Sequence, residues 1–163
     1  MKELFLFRHA KTRKADLGQR DHQRNLSSSG HDAAIQIGED LLDDERLPQI
    51  ILCSDAARTT QTAELAADAM DLEDIIVPYA PLYSAGVEEV LELLAGRQED
   101  KVMIVGHNPC IEETVEHLLG DLSHMRPGCC MWLRFDIHNW EELYGHPDVL
   151  SHKLYKPREE ELD

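Results

Sequence analysis

Short apolar runs recur along the chain and alternate with longer stretches of mixed character. Four of these runs occupy positions 4–7, 50–53, 75–77 and 102–105. Each run is too short for a helix core and is rich in β-branched or aromatic side chains, which predicts buried β-strands. Two later strands are predicted at 132–137 and 153–155, the second at an edge of the sheet.

The stretches between these strands show apolar residues at helical spacing. A helix over 31–45 follows the serines at 27–29, whose hydroxyls can cap it, and Pro48 ends it. Three more helices are indicated by the sets Ala63, Ala66, Ala67 and Met70; Val87, Val90, Leu91 and Leu94; and Ile111, Val115, Leu118 and Leu119. This alternation predicts an α/β fold, a three-layer sandwich whose mostly parallel central sheet is flanked by helices. The length of 163 residues suits a single domain spanning 1–163.

The net charge of −16 is distributed unevenly along the chain. Residues 8–24 hold six Lys and Arg against two Asp, a local balance of +4, so the remaining residues together carry −20. Such an acidic chain argues against binding to nucleic acid, because a phosphate backbone is repelled by it. The basic segment indicates a site for a small anion, since distant charges are screened over about 10 Å.

The apolar run that follows Lys2 is too short for a signal peptide, and no stretch has the length and apolar character of a membrane span. We therefore predict a cytoplasmic protein that is not associated with a membrane. No strongly apolar stripe is left over, which favours a monomer, and the acidic tail from Arg158 onward is expected to fray. The cysteines form no CxxC pair and are predicted to be reduced core thiols: Cys53, Cys110, Cys129 and Cys130.

Three of the predicted strands end in polar clusters. Arg8 and His9 follow the first strand, the segment 54–58 with Arg58 follows the second, and His107 follows the fourth. Parallel strands gather their carboxyl ends along one edge of a sheet, where open α/β folds bind ligands. Two arginines and two histidines around one point would form a site for a dianionic phosphoryl group.

Each of these residues also has a structural interpretation when taken alone. His9 could be a structural hydrogen-bonding histidine, Arg58 could lie on a solvated helix turn, and His107 could close the turn before Pro109. The histidines and cysteines show no metal-ligand spacing such as HExxH or CxxC, so no metal site is predicted. Ser54 lacks the GxSxG context of a nucleophile and is predicted to support the Arg58 turn.

The segments FRHAKT, SDAARTTQTAE and VGHNP resemble the three signature segments of the histidine phosphatase superfamily, which has the phosphoglycerate-mutase-like fold. The segment RNLSSSG at 24–30 and the small size are similar to the SixA-type phosphohistidine phosphatases within it. The resemblance implies that His9 is the nucleophile and forms a phosphohistidine intermediate without metal or cofactor. It also implies that Arg8 and Arg58 hold the phosphoryl oxygens, that His107 donates to the same oxygens, and that Arg24 is a further basic residue beside the pocket.

Two departures from the superfamily pattern bear on the substrate. Ala10 replaces the glycine of the usual Arg-His-Gly signature, and an alanine has fewer backbone conformations available than a glycine. Neither customary proton donor is present, because Leu82-Tyr83-Ser84 stands where mutase-like members often have a glutamate, and Asn108 stands where acid phosphatases have an aspartate. Other carboxyl groups that could still supply a proton are Asp16, Asp21, Glu88 and Glu89.

The missing acid favours a substrate whose leaving group needs no proton from the enzyme. An alkoxide leaving group needs protonation, and a positioned acid contributes about 10²–10⁴-fold to that step. Imidazole leaves more readily, because its reference pKa is about 6.5 and a phosphorylated ring can be protonated beforehand. We therefore predict a metal-independent phosphohistidine protein phosphatase of the SixA type. The alternatives are a phosphatase for small phosphorylated metabolites and a non-catalytic module that binds phosphate or phosphohistidine.

Overall fold

The computed structural model describes residues 1–158, and within them a six-stranded sheet carries helices on both faces. The strands are β1 (Lys2–Arg8), β2 (Ile50–Cys53), β3 (Ile76–Pro78), β4 (Lys101–Gly106), β5 (Cys130–Phe135) and β6 (Val149–Tyr155). The α-helices are α1 (Ser28–Asp43), α2 (Ala57–Ala69), α3 (Val87–Ala95) and α4 (Cys110–Leu119), and short 3-10 helices occupy Asp21–Gln23, Ala80–Tyr83 and Trp140–Gly145. The acidic tail, which the sequence predicts to fray, lies outside the described residues beyond Arg158.

The sheet has the order β3-β2-β4-β1-β5-β6, in which β3, β2, β4 and β1 pair in parallel and β5 pairs antiparallel with both β1 and β6. The parallel strands end level with one another, because Arg8 lies opposite Gly106 and Cys53 lies opposite Val105. The segments that follow β1, β2 and β4 therefore leave the sheet at the same edge. The predicted α/β sandwich with a mostly parallel central sheet is confirmed.

Strand β1 is buried between two apolar cores. Its alternate side chains Leu4 and Leu6 pack on the face covered by α3 and α4, whereas Phe5 and Phe7 pack on the face covered by α1 and α2. All four side chains are fully buried. Because both faces of β1 are packed in this way, the residues immediately after it are held in a fixed position.

Two helices begin earlier than the apolar spacing indicates. Helix α1 begins at residue 28 rather than 31, because the Ser27 hydroxyl caps it by accepting a hydrogen bond from the Gly30 amide at 3.0 Å. Helix α2 begins well before its first predicted apolar residue, Ala63. Its first turn carries Arg58 and Thr59, which are polar and buried, so apolar periodicity could not reveal that turn.

The loop between β1 and α1 folds back across the start of α1. Gly30 makes this approach possible, because a Cβ atom at that position would lie 2.1 Å from the Lys11 carbonyl oxygen. The same carbonyl accepts a hydrogen bond from the Ser27 amide at 2.9 Å, and Thr12 forms a β-bridge with Leu26. These contacts hold the basic segment next to the carboxyl end of β1.

The four cysteines are buried, as predicted for core thiols, and none of them is in a disulfide. Burial raises the pKa of the Cys53 thiol to about 11, so this side chain is a neutral apolar group at neutral pH. Through residue 158, no helix combines the length and the apolar character needed to cross a membrane.

Candidate active site

The carboxyl ends of β1, β2 and β4 surround a cavity of about 570 Å³. Every site residue predicted from the sequence contributes to its wall, namely Arg8, His9, Arg24, Arg58 and His107. The remaining lining residues are Lys11, Thr12, Asp21, Tyr83, Asn108 and Pro127. The cavity is therefore strongly basic, as the local charge of residues 8–24 indicates.

The ring of His9 is oriented by the backbone that follows it. Its Nδ1 lies 2.8 Å from the Ala10 carbonyl oxygen, and a carbonyl can only accept, so Nδ1 carries the proton. Nε2 is then left with a lone pair. Burial, together with the nearby charges of His107, Arg58 and Arg8, lowers the pKa of His9 to about 4. His9 is thus a neutral imidazole at physiological pH, which is the form a nucleophile requires.

Ala10, which replaces the usual glycine, fits into the protein core. Its side chain is fully buried and packs with Leu26 and Ala34. Its amide donates to the Thr62 hydroxyl at 3.0 Å, which ties the segment after β1 to helix α2. The extra methyl group therefore contributes to packing behind His9.

His107 lies beside His9, with 5.4 Å between the ring centroids. Its Nε2 is hydrogen-bonded to the hydroxyl of Ser54 at 2.8 Å, and Ser54 is fully buried. Burial and the neighbouring Arg58 lower the pKa of His107 to about 4. Ser54 also accepts a hydrogen bond through its backbone carbonyl from Thr59 at 2.7 Å. The Ser54 hydroxyl also accepts a hydrogen bond from the Ala56 amide at 3.4 Å, so it supports the start of α2 as predicted and in addition orients His107.

Arg8 is anchored at one terminal nitrogen, where Nη1 donates to the Met125 carbonyl at 2.9 Å. Its Nε is buried and has no hydrogen-bond partner within residues 1–158. Burial lowers the pKa of Arg8 from its ordinary value, but an arginine remains charged at neutral pH. A buried cationic donor of this kind fits an anionic ligand, because an unpaired buried donor is costly.

Arg58 is buried and is held by residues of the β1–α1 loop. Its Nη1 donates to the Asp21 backbone carbonyl at 2.8 Å, and its Nη2 donates to Asp21 Oδ2 at 2.9 Å. Arg24 donates to the other carboxylate oxygen of Asp21 at 3.1 Å, and the Tyr83 hydroxyl donates to Oδ2 at 2.6 Å. The hydrogen bonds from Tyr83, Arg24 and Arg58 hold the pKa of Asp21 well below its usual range.

Tyr83 and the role of Asp21 as a shared acceptor are the parts of the site that the sequence did not predict. Tyr83 stands in the stretch that lacks the superfamily glutamate, and Asp21 was one of four candidate proton donors. Of the other three, Glu89 instead accepts a hydrogen bond from the Gly86 amide at 3.3 Å, at the start of its own helix. None of these three residues lines the cavity: Asp16, Glu88 and Glu89.

Comparison with known proteins places the chain in a family. The model of the histidine phosphatase superfamily (branch 1) matches residues 4–78. The structure of a protein of Agrobacterium tumefaciens assigned as the phosphohistidine phosphatase SixA is 32% identical, with a TM-score of 0.78 over 82% of this chain and 92% of that one. The chain belongs to the histidine phosphatase superfamily. The resemblance carried by the three sequence segments is confirmed, and this membership supports a phosphatase, a hydrolase of phosphoryl groups.

Two further relatives of this histidine phosphatase extend the match over most of its length. A Nakamurella multipartitia structure, also assigned as SixA, is 28% identical with a TM-score of 0.80, and 96% of each chain is covered. An uncharacterized chloroplastic protein of Arabidopsis thaliana is 29% identical over 155 residues, which cover 88% of this chain and 71% of that protein.

We expect the free energy of unfolding of this histidine phosphatase to fall as the pH is lowered from about 6.5 to about 4. An unfolded histidine binds a proton near the reference pKa of about 6.5, whereas the folded protein lowers the pKa of both His9 and His107 to about 4. In this window the unfolded state binds more protons, so each histidine removes about 1.4 kcal/mol of stability per pH unit. Urea unfolding at a series of pH values measures this slope.

The contribution of His9 to that slope can be isolated by substitution. His9→Gln should reduce the slope by about 1.4 kcal/mol per pH unit. His152→Gln is the matched control, because His152 is exposed on the edge strand β6. A slope that is the same in the His9 variant and in the wild type would show that folding does not hold His9 neutral.

Proposed function

We propose that this histidine phosphatase hydrolyses phosphohistidine in proteins and that His9 is its nucleophile. The Nε2 of His9 attacks phosphorus, the P–N bond of the substrate breaks, and the phosphoryl group is transferred to His9. Transfer of a phosphoryl group depends mainly on positioning and on stabilising charge that spreads over the equatorial oxygens. Arg8 and Arg58 bind these oxygens, Arg24 adds positive charge at the side of the cavity, and His107 donates a hydrogen bond.

The observation that carries the proposal is an ionisation state. Among the described residues, one carboxyl group lines the cavity, and it is ionised. That group is Asp21, and three hydrogen-bond donors keep it ionised. An ionised carboxylate cannot protonate an alkoxide as it leaves. The site therefore lacks the acid that an alkyl phosphate requires, while a protonated imidazole can depart without one. Two related structures assigned as SixA phosphohistidine phosphatases support the same substrate class.

The second half of the reaction also proceeds without an enzyme acid. Phosphorylation at Nε2 leaves the Nδ1 proton of His9 in place, hydrogen-bonded to the Ala10 carbonyl. Water attacks phosphorus, the P–N bond to His9 breaks, and the bonding electrons return to Nε2. Both protons of the water leave with the product as dihydrogen phosphate. His9 returns to the neutral form in which it began.

We further propose that no metal ion takes part, because arginines supply the positive charge that a metal would supply elsewhere. Across residues 1–158, no group of three His, Cys, Asp or Glu side chains is placed to hold a metal. In this proposal Arg8, Arg24 and Arg58 supply the positive charge that binds the phosphoryl group. Activity that is unchanged after dialysis against EDTA is the expected result, and activity that returns only on adding a divalent cation would contradict it.

We expect the enzyme to prefer phosphohistidine to phosphoserine by at least about 10² in kcat/KM, because the acid that a serine leaving group needs is absent. Two peptides of the same sequence, one phosphorylated on histidine and the other on serine at the same position, give a matched comparison. The spontaneous hydrolysis of phosphohistidine is measured without enzyme and subtracted. A preference for the serine ester would contradict the proposal and favour a phosphatase for small phosphoesters.

A further inference from the structure

We propose that Asp21 and Tyr83 form the subsite for the leaving imidazole of phosphohistidine, with Asp21 accepting a hydrogen bond from the protonated ring nitrogen. The subsite rests on the proposed function, since it names what binds the part of the substrate that departs. Asp21 would therefore act as a hydrogen-bond acceptor and not as a general acid. It keeps a proton on the substrate and does not deliver one.

Two short 3-10 helices bring these residues to one side of the cavity. Asp21 begins the helix Asp21–Gln23, and Tyr83 ends the helix Ala80–Tyr83. The Tyr83 hydroxyl donates to Asp21 Oδ2 at 2.6 Å, so the two side chains act as one unit. The Tyr83 ring stands edge-on to His107, with 5.3 Å between centroids, and Arg58 Cζ lies 5.8 Å from the centre of the Tyr83 ring. The unit is thus directly beside the residues that bind the phosphoryl group.

Asp21 can accept one more hydrogen bond while it holds its present partners. A carboxylate offers about four lone-pair positions, two on each oxygen. Oδ2 accepts from Arg58 and Tyr83, and Oδ1 accepts from Arg24. Oδ1 therefore has a position for a further N–H, and the side chain of Asp21 is 54% exposed, so a substrate can reach it. The low pKa of Asp21 ensures that it stays an acceptor at neutral pH.

The contact between Asp21 and Arg58 does not prevent Arg58 from binding the phosphoryl group. A guanidinium has five N–H donors, and Arg58 directs one N–H from Nη1 and one from Nη2 to Asp21. The other donors remain for phosphoryl oxygens. The carboxylate, the arginine and the substrate can therefore form one hydrogen-bonded row, in which Asp21 joins Arg58 to the leaving ring.

The chemical step that this arrangement favours is balanced without an added acid. Phosphohistidine carries the phosphoryl group on one ring nitrogen and a proton on the other, and that N–H donates to Asp21. His9 Nε2 forms a new bond to phosphorus as the P–N bond of the substrate breaks. The electron pair of that bond moves onto the departing ring nitrogen. The product is a neutral imidazole that still holds its proton.

Tyr83 supplies the second element of recognition, a flat face for a planar leaving group. Its ring is half-exposed at the cavity and is also close to His22, with 5.1 Å between ring centroids. Aromatic rings prefer offset or edge-to-face contact with one another. A serine or glycerol leaving group offers neither a ring for this contact nor an N–H for Asp21. The subsite would therefore select phosphohistidine over alkyl esters.

The test compares two substrates in the same variants. The first is a phosphohistidine peptide. The second is p-nitrophenyl phosphate, whose nitrophenolate departs without a proton and has no N–H to donate. We expect Asp21→Asn to lower the ratio of their kcat/KM values, phosphohistidine over p-nitrophenyl phosphate, by about 10-fold to 100-fold, the effect of losing a hydrogen bond to a charged group. Any loss from a displaced Arg58 affects both substrates and cancels in the ratio.

Two more variants make the result specific. Tyr83→Leu should lower the ratio of the kcat/KM values for the phosphohistidine and phosphoserine peptides, because only the first has a planar leaving group to contact the Tyr83 ring. Asp16→Asn, on the same loop as Asp21 but away from the cavity wall, should leave both ratios unchanged. An unchanged ratio in both Asp21→Asn and Tyr83→Leu would overturn the subsite and leave Asp21 with a purely structural role. The wild-type preference between phosphohistidine and phosphoserine peptides tests the proposed function separately, so the two failures are distinguishable.

Discussion

Replacing His9 with alanine should lower kcat/KM by at least about 10⁴-fold on both a phosphohistidine peptide and p-nitrophenyl phosphate, as loss of a catalytic nucleophile does in other enzymes. His9 is the imidazole whose Nδ1 is occupied by a backbone carbonyl and whose Nε2 is left available for attack. The neighbouring His107 cannot substitute, because its Nε2 is hydrogen-bonded to the buried Ser54 hydroxyl. Steady-state rates measure the fall in kcat/KM, and trapping of ³²P on the enzyme measures the loss of the phosphorylated intermediate.

The control for this experiment is His152→Ala, which removes an exposed imidazole on the edge strand β6. The wild type and His152→Ala should both show a label that is lost in acid and retained in base, as expected of a phosphorylated histidine, and His9→Ala should show none. Labelling that persists in His9→Ala would contradict the assignment of His9 as the nucleophile. A wild type that binds phosphate but neither labels nor turns over would be a binding module.

The sequence brought Arg8, His9, Arg58 and His107 to one site because their positions follow from sheet topology. Arg8 is the last residue of β1, His9 and His107 directly follow β1 and β4, and Arg58 lies in the first turn of α2. Such residues must meet at one edge of the sheet whatever the details of the loops. Four apolar runs were enough to locate that edge, since a buried parallel strand is a continuous apolar run.

The residues that the sequence could not place are those whose position depends on loop conformation. Asp21 and Tyr83 are far apart in the chain and lie on separate 3-10 helices. Neither helix has an apolar periodicity from which it could be predicted. Their meeting depends on the hydrogen bonds that Asp21 accepts from Arg58, Arg24 and Tyr83. The helix Trp140–Gly145 escaped prediction for a similar reason, because one short turn carries no repeating pattern.

The residues at the strand ends and the residues in the loops have different proposed functions. To the residues at the strand ends we assign the functions that phosphoryl transfer requires in general, a nucleophile and positive charge for the oxygens. The loop residues Asp21 and Tyr83 line the side of the cavity where we propose that the leaving group binds. The substrate preference that we propose therefore depends on the part of the site for which sequence patterns give the least guidance.

Replacing Arg58 with alanine is the second change with a large expected effect, a fall of about 10³-fold in kcat/KM. Arg58 is 7% exposed and lies at the start of α2, facing the cavity next to both histidines. Removing one preorganised donor from developing negative charge costs about 10²–10³-fold, and here a full positive charge is lost with it. The rates on p-nitrophenyl phosphate and the inhibition constant for inorganic phosphate measure the loss.

Arg58→Lys separates the charge from the shape of the guanidinium. Lysine restores a positive charge but lacks the planar fork that binds two oxygens, or one oxygen and Asp21, at once. We expect it to recover about 10-fold of the activity lost in Arg58→Ala, with phosphate inhibition only partly restored. Arg97→Ala is the matched control, because Arg97 is a partly buried arginine paired with Glu99 and does not line this cavity.

The pattern across these variants decides what Arg58 does. If Arg58 binds the phosphoryl group, inhibition by phosphate weakens in Arg58→Ala and the rate falls for every substrate, including one with a good leaving group. If Arg58 serves only to hold Asp21, phosphate inhibition stays the same, and the loss is confined to phosphohistidine. The second outcome would assign the binding of the phosphoryl oxygens to Arg8 and Arg24, and the ion pair between Arg58 and Asp21 would then support the leaving-group side of the site.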